Sequence, residues 1–293
     1  MAHRADYLYI LPAIAVMLLV IGYPIVYTVY LSSFETPPSL AMSQKVFVGL
    51  SNYARVLASD SFHQTTLNTA VWTIFSTLFS FILGFGAALA LNRQFLGRGL
   101  VRGLLLIPYV ISAVTACYVW IWIYNSDYGV IGAIAIALGI TKQPINILDN
   151  TTTVLPALVV VNIWKEFPFA MIMMLAGLQT VPDQLHRAAM IDGAGPWSRF
   201  WHVTMPHLKT VTIVTILLTL VANLNSFIIP YIMTGGGPAG ASDIWITQVY
   251  QIAFGEIHFG TASAYSVILF IIMMALGYFY IRTLTSRDER HPV

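Results

Sequence analysis

The sequence predicts an all-α polytopic membrane protein with six transmembrane helices, and three observations carry that prediction. Only 9% of the 293 residues are Asp, Glu, Lys or Arg, against roughly 25% in a soluble domain. Hydrophobic residues make up 58%, and the mean hydropathy is +0.77. So little charge cannot solvate the surface of a 32.4 kDa globule, which excludes a soluble enzyme, a disordered chain and a nucleic-acid-binding domain. Second, five long intervals carry no Asp, Glu, Lys or Arg: 7–34, 61–92, 103–126, 210–242 and 257–281. Third, the few Lys and Arg residues are sorted along the chain. One cysteine, Cys117, excludes an internal disulfide and a multi-cysteine metal site.

A helix crossing hydrocarbon needs roughly 20 apolar residues, because lipid satisfies no exposed backbone group. The charge-free intervals place spans at about 9–31, 67–91, 103–125, 208–232 and 261–281. A sixth, about 153–178, joins two apolar halves across Lys165-Glu166, since neither half alone is long enough. The first span is longer than a signal-peptide core of roughly 7–15 residues and lacks a small-x-small cleavage pattern, so it is expected to stay as a membrane helix. With no short repeat and no low-complexity linker, residues 1–293 are expected to form one membrane domain.

Orientation follows from basic residues, which concentrate on the cytoplasmic side. Six spans put both termini and the loops 92–102 and 179–207 on one side. That side holds Arg4, Arg93, Arg98, Arg102, Arg187, Arg199, Lys209, Arg282, Arg287 and Arg290. The opposite loops hold Lys45, Arg55 and Lys142. Ten against three predicts cytoplasmic termini, and the net charge of +2 is an orientation signal with no nucleic-acid partner behind it.

Several chemistries have no carrier. There is no G-x-x-x-x-G-K-[ST] phosphate loop, no H-E-x-x-H and no G-x-S-x-G. His186, His202 and His207 cluster without metal-ligand spacing and read as interfacial polar residues; no metal site is expected. Gly235-Gly236-Gly237-Pro238 is not followed by a helix start with Lys, so it reads as a turn. Trp120, Trp122, Tyr124 and Tyr128 read as interfacial anchors.

Loop 179–207 is long for a connection between packed helices. Pro182-Asp183 starts a short helix, Leu185, Ala188, Ala189 and Ile191 give it an apolar face, and Gly193 stops it. Such a surface helix serves either packing or docking of a soluble partner. On the fourth span Asn162, Glu166 and Phe169 stand at i, i+4 and i+7, one stripe of a helix with about 3.6 residues per turn. Asn223 and Ser226 stand at i and i+3 on the fifth. Carboxylate and amide groups beside an aromatic face suit a sugar's hydroxyls and its C–H face. The alternative is that Asn162, Asn223 and Asn225 tie helices together.

The stretch Leu185-His186-Arg187-Ala188-Ala189-Met190-Ile191-Asp192-Gly193-Ala194, followed by Phe200 and Met205-Pro206, resembles the E-A-A-x-x-x-D-G-A…P loop of ABC importer permeases. Gly49-Leu50-Ser51-Asn52-Tyr53 with Asn68-Thr69, Ile107-Pro108-Tyr109, Trp164-Lys165-Glu166-Phe167-Pro168-Phe169, and Asn225-Ser226-Phe227 with Thr234-Gly235-Gly236-Gly237-Pro238 are similar to the MalF-like sugar-permease branch. The resemblance implies a permease (MalF-like) fold whose 183–195 helix couples to a separate ATPase through Arg187, Ala188, Ala189, Asp192, Gly193 and Ala194. It also implies a second permease, expected to be a paralogue, two ATP-binding subunits that hold ATP and Mg, and an extracytoplasmic solute-binding protein in a bacterial inner membrane. The chain itself would need no cofactor and would be no enzyme. Its substrate contacts would fall on Tyr109, Asn162, Glu166, Phe169, Asn223 and Ser226. Arg187 stands where the family usually has Glu, and Glu166 where it has a small residue. The expected function is import of a sugar or glycoside; alternatives are a polyol or glycerol-phosphate-type solute, or a secondary sugar transporter. A six-span membrane enzyme would need a nucleophile and base on adjacent helix faces, and no such pair is found.

Overall fold

The computed structural model describes residues 3–35 and 45–288, so Arg290 lies outside the described residues, as do the side chains of Arg4 and Arg287. In chain order the helices are α1 (His3–Met17), α2 (Tyr23–Ser32), α3 (Ser51–Leu57), α4 (Asp60–Asn92), α5 (Arg98–Val110), α6 (Ala113–Tyr124) and α7 (Val130–Ala137). They continue with α8 (Val154–Gln179), α9 (Asp183–Ile191), α10 (Pro196–Arg199), α11 (Met205–Leu224), α12 (Ile228–Thr234), α13 (Trp245–Tyr250) and α14 (Phe259–Asp288). Among the described residues, five segments are long and apolar enough to cross a membrane: Ile10–Ser32, Asp60–Asn92, Val154–Gln179, Pro196–Thr234 and Phe259–Tyr278. Taken together α5 and α6 are also long and apolar enough, but they are bent by 96° relative to each other, as a broken span or a re-entrant pair.

That bend corrects the expectation of one continuous third span over 103–125. Pro108 lies inside α5, where it supplies no N–H and crowds the preceding turn. Three residues later Ile111 and Ser112 take extended backbone, with ψ of 137° and 139°. Loop 179–207 is also shorter than expected. Pro196 opens a new helix at its first turn, and helical structure continues through a π-helical turn, Phe200–Thr204, into α11. Only 180–182 and 192–195 around α9 are non-helical.

The chain divides into two compact units. The first is drawn from 1–63 and 248–279. In it α1 and α2 join through a π-helical turn, Leu18–Gly22, and no residue in the apolar window of this span is buried, which leaves a surface for lipid or another chain. Phe34–Glu35 (β1) and Val46–Phe47 (β2) pair antiparallel, Phe34 opposite Phe47. Asn52, fully buried, donates from Nδ2 to the carbonyls of Ser32 and Phe34, each at 2.9 Å. Tyr53 meets the Ser32 hydroxyl at 2.6 Å. The Asn52-Tyr53 pair of the sequence motif is therefore a tie between α3 and the end of α2.

The second unit is drawn from 64–247 and 280–293. Its core is layered along α4 and α8. The buried stripe of α4 is small or polar over much of its length: Thr69, Thr73, Ser76, Ser80, Gly84 and Ala88. Small side chains let helix backbones approach closely where lipid offers no hydrophobic drive for association. Met171, Met174, Leu175 and Leu178 of α8 fill one cluster with Ala88, Leu91 and Leu208. Trp72, Leu158, Val161, Ile229 and Ile244 belong to another. Trp120 and Tyr124 sit in or against this second cluster, which corrects their reading as anchors. Trp120 packs edge-on against Trp164 at 5.6 Å, and the buried Tyr124 donates its hydroxyl to the Ala157 carbonyl. Trp122 and Tyr128 are exposed, as anchors require.

Candidate functional site

Asn162 and Asn223 are brought together, but by each other. Asn162 Nδ2 donates to Asn223 Oδ1 at 2.7 Å, and Asn223 Nδ2 donates to Thr77 Oγ1 at 3.0 Å. Trp72 Nε1 donates to the Asn223 carbonyl at 3.1 Å. The two amides are 3% and 2% exposed. Three helices, α4, α8 and α11, thus share one buried polar knot. This corrects the expectation that both asparagines face an open path: the amide groups of Asn162 and Asn223 are directed to partners inside the protein. Trp72 and Thr77 were missed by sequence reasoning, since a lone Trp and a lone Thr in an apolar run carry no pattern.

Ser226 also departs from the expected stripe. α11 ends at Leu224, and Ser226 lies in the break before α12, where its N–H reaches the Asn223 carbonyl at 3.2 Å. Tyr109 and Phe169, from α5 and α8, do come together, stacked at 6.3 Å with a 25° interplanar angle. Tyr109 is exposed and Phe169 partly so. Glu166, partly buried on the same helix as Phe169, makes neither a hydrogen bond nor an ion pair among the described residues. Its neighbour Lys165 is committed elsewhere, with Nζ donating to the carbonyls of Ile111 at 2.9 Å and Pro108 at 3.4 Å. Adjacent helical residues point about 100° apart, so Lys165 reaches the end of α5 without forming an ion pair with Glu166.

At the opposite end of the second unit from α9, the glycine-rich turn is pinned by the other half of the sequence motif. Asn68 Nδ2 donates to the carbonyls of Gly240 and Asp243, and Thr69 Oγ1 accepts the Trp245 N–H at 2.9 Å. The hydroxyls of Thr234 and Ser242 meet at 2.7 Å. Asp243 is 3% exposed and accepts from Thr247 Oγ1. Burial pushes its carboxyl up from 3.8 to about 6, although hydrogen bonds from Thr247 and the Ile244 N–H pull the other way. A raised acid pKa means that the folded chain holds the proton more tightly than the unfolded one. The stability contributed by neutral Asp243 is fully present below pH 3.8 and is lost as pH rises through about 6. The melting temperature of the purified protein is therefore expected to fall across that window, and Asp243→Asn to flatten the fall. An equal slope in the variant would show that another group titrates.

The α9 helix was legible in the sequence and is built as expected. Its hydrogen-bonded end forms a Schellman motif: the Gly193 N–H bonds the Met190 carbonyl, and the Ala194 N–H bonds the Ala189 carbonyl at 2.9 Å. Gly193 takes φ +79°, where a side chain would be strained. No residue of α9 is buried. Leu185, Arg187, Ala188, Met190, Ile191 and Asp192 are all exposed, with Ile191 at 87%. Beside it a cleft of about 460 Å³ is lined by Arg93, Asp183, His186, Trp197 and Phe200, among others.

Among the described residues, five apolar helices long enough to cross a membrane, a bent sixth pair and an exposed amphipathic helix after α8 mark a multi-pass membrane protein. A family model described as "Binding-protein-dependent transport system inner membrane component" matches residues 80–287, and the chain belongs to that family of multi-pass permease subunits. It is 36% identical over 282 residues to the trehalose/maltose transport system permease protein MalF of Thermococcus litoralis, covering 95% of this chain and 93% of that protein. It is 31% identical over 277 residues to the sulfoquinovosyl glycerol transport system permease protein SmoG of Agrobacterium fabrum, covering 94% and 89%. Among solved structures it shares the fold of a bacterial alginate ABC transporter in complex with alginate pentasaccharide-bound periplasmic protein, with TM-score 0.80, 21% identity and 94% and 92% coverage.

Proposed function

We propose that this chain forms half of the translocation path of an ATP-driven importer for a sugar or glycoside, in a bacterial cytoplasmic membrane with both termini inside. The observation that carries the reading is α9: a helix with no buried residue, closed at its C-terminus by Gly193-Ala194. An amphipathic helix left bare by its own fold is suited to a groove on another protein. That protein is a separate ATPase; two copies of it bind ATP and Mg, and this chain hydrolyses nothing. A paralogous second permease completes the path, and an extracytoplasmic binding protein delivers the solute. ATP-driven closure of the ATPases pulls on α9 and opens the cavity outward; hydrolysis returns it to the cytoplasm.

The carbohydrate class draws support from the trehalose/maltose and sulfoquinovosyl glycerol relatives. It also fits a Tyr109–Phe169 stack one helical turn from the Glu166 carboxyl, which forms no ion pair among the described residues. In this reading Tyr109, Glu166 and Phe169 meet the solute, Ser226 sits where the fifth span breaks, and the Asn162–Asn223 pair braces the helices behind them.

Arginine in place of Ala188 tests the coupling role. The position is exposed, so folding stability is expected to stay within about 0.5 kcal/mol of wild type. Solute-stimulated ATP hydrolysis by the assembled complex is expected to fall by about tenfold or more, the equivalent of one lost contact of roughly 1.4 kcal/mol. Copurification of the ATPase should weaken in parallel. Normal coupling in the variant would sink the docking role of α9, and uptake that follows an ion gradient without any ATPase would favour a secondary transporter.

A further inference from the structure

The 96° break between α5 and α6 leaves a problem that the fold has to solve. Where α5 ends, the carbonyls of its last turn lose their intrahelical donors. In hydrocarbon no water replaces them, so a donor from the protein or a water-lined cavity must. Ile111 still donates its N–H to the Ile107 carbonyl, so the shortage begins at Pro108. Lys165 of α8 supplies two of the missing bonds, to Pro108 and Ile111. An ammonium carries three donors on a flexible stem and complements the negative end of the helix dipole. An intramembrane Lys is expensive unless paired in this way.

The same face of α8 carries a second contact to the same turn of α5. Phe169 lies four residues after Lys165, one helical turn along, and stacks on Tyr109, which is next to Pro108. One face of α8 therefore both clamps the carbonyl end of α5 and receives its aromatic ring. We propose that Lys165 is a positioning residue of the transport site: by latching the broken end of α5 it holds Tyr109 over Phe169, and its ammonium is not drawn into an ion pair with Glu166. Lys165 touches no solute itself and contributes no charge to it. This rests on the sugar-permease reading for its functional arm, but the latch stands on the geometry alone.

The test uses the full transporter, with its binding protein and ATPases, in proteoliposomes. Lys165→Met keeps the stem and removes the ammonium, Lys165→Arg keeps the charge, and Lys165→Gln is read in the same way as Met if the Met variant does not assemble. Spin labels at the exposed positions Leu100 and Tyr118, on α5 and α6, report the bend by pulsed electron resonance. The expected result for Met is a broadened distance distribution and a KM for solute uptake raised about tenfold, with kcat changed much less. Arg is expected to recover most of both. An unchanged distance distribution in the Met variant overturns the latch. A broadened distribution with wild-type KM overturns the positioning role while keeping the latch. Absence of sugar uptake in the wild type would count against the transport reading instead, and the distance measurement would still decide the latch.

Discussion

Replacing Gly84 by alanine is expected to destabilise the protein by about 3 kcal/mol, whereas the same change at Gly86 stays within about 1 kcal/mol of wild type. Both glycines lie in α4, two residues apart and on different faces. A Cβ at Gly84 would stand 2.5 Å from the Phe167 carbonyl oxygen, 2.6 Å from the Ala170 Cβ and 2.7 Å from the Met171 nitrogen. Two of these are backbone atoms of α8 and the third is fixed to it, so no flexible side chain can yield. The helices must separate, and the Ala88–Met171–Met174–Leu175 packing opens with them. At Gly86 a Cβ would meet nothing within 4 Å, and alanine's lower conformational entropy in the unfolded state is a small gain. The measurement is resistance to denaturant in mixed micelles, followed by tryptophan fluorescence. Equal behaviour of the two variants would show that α4 and α8 do not approach at Gly84.

Asn223→Ala is expected to lower stability by about 2–3 kcal/mol, most of it from the partners left behind. A single hydrogen bond between membrane helices averages about 0.6 kcal/mol, but a buried donor or acceptor stripped of its partner loses about 1–3. Removing Asn223 strips Asn162 Nδ2 and Thr77 Oγ1 together. Asn162→Ala removes only one of these bonds and is expected to cost about 1 kcal/mol. Because the residues share a network, the double variant should lose less than the sum of the singles. The same variants separate bracing from ligand contact. A brace lowers stability and leaves KM close to wild type; a sugar ligand raises KM at unchanged stability. Additive losses with a raised KM would return both asparagines to the solute path.

The parts that were legible in the sequence are those governed by local rules. Lengths of apolar chain revealed the spans because a bilayer imposes a minimum on each one separately. Helix α9 was legible because an acidic residue in the first turn, Asp183, and a left-handed Gly193 after the last act over only a few positions. The broken third span was not: Pro108 was visible, but a proline inside a span is tolerated or breaks it according to what satisfies the freed carbonyls. Here that is Lys165, 54 residues on from Ile111. Likewise Asn68-Thr69 and the Gly235-to-Pro238 turn each had a motif, and nothing in either indicated that Asn68 binds the chain just after that turn, at Gly240 and Asp243.

By itself the sequence determined that the chain is helical, crosses a membrane about six times, and leaves one short amphipathic helix between the fourth and fifth crossings. It also supplied the few polar groups that hydrocarbon would have to accommodate. Only the tertiary structure decided what those groups do. It turned Asn162 and Asn223 towards each other, set Lys165 on a broken helix end, and left Glu166 near an aromatic stack with no ion pair among the described residues. The physical reason is range. Hydrophobic length and capping act within one helix, whereas the fate of a buried polar group depends on donors and acceptors that other helices bring to it.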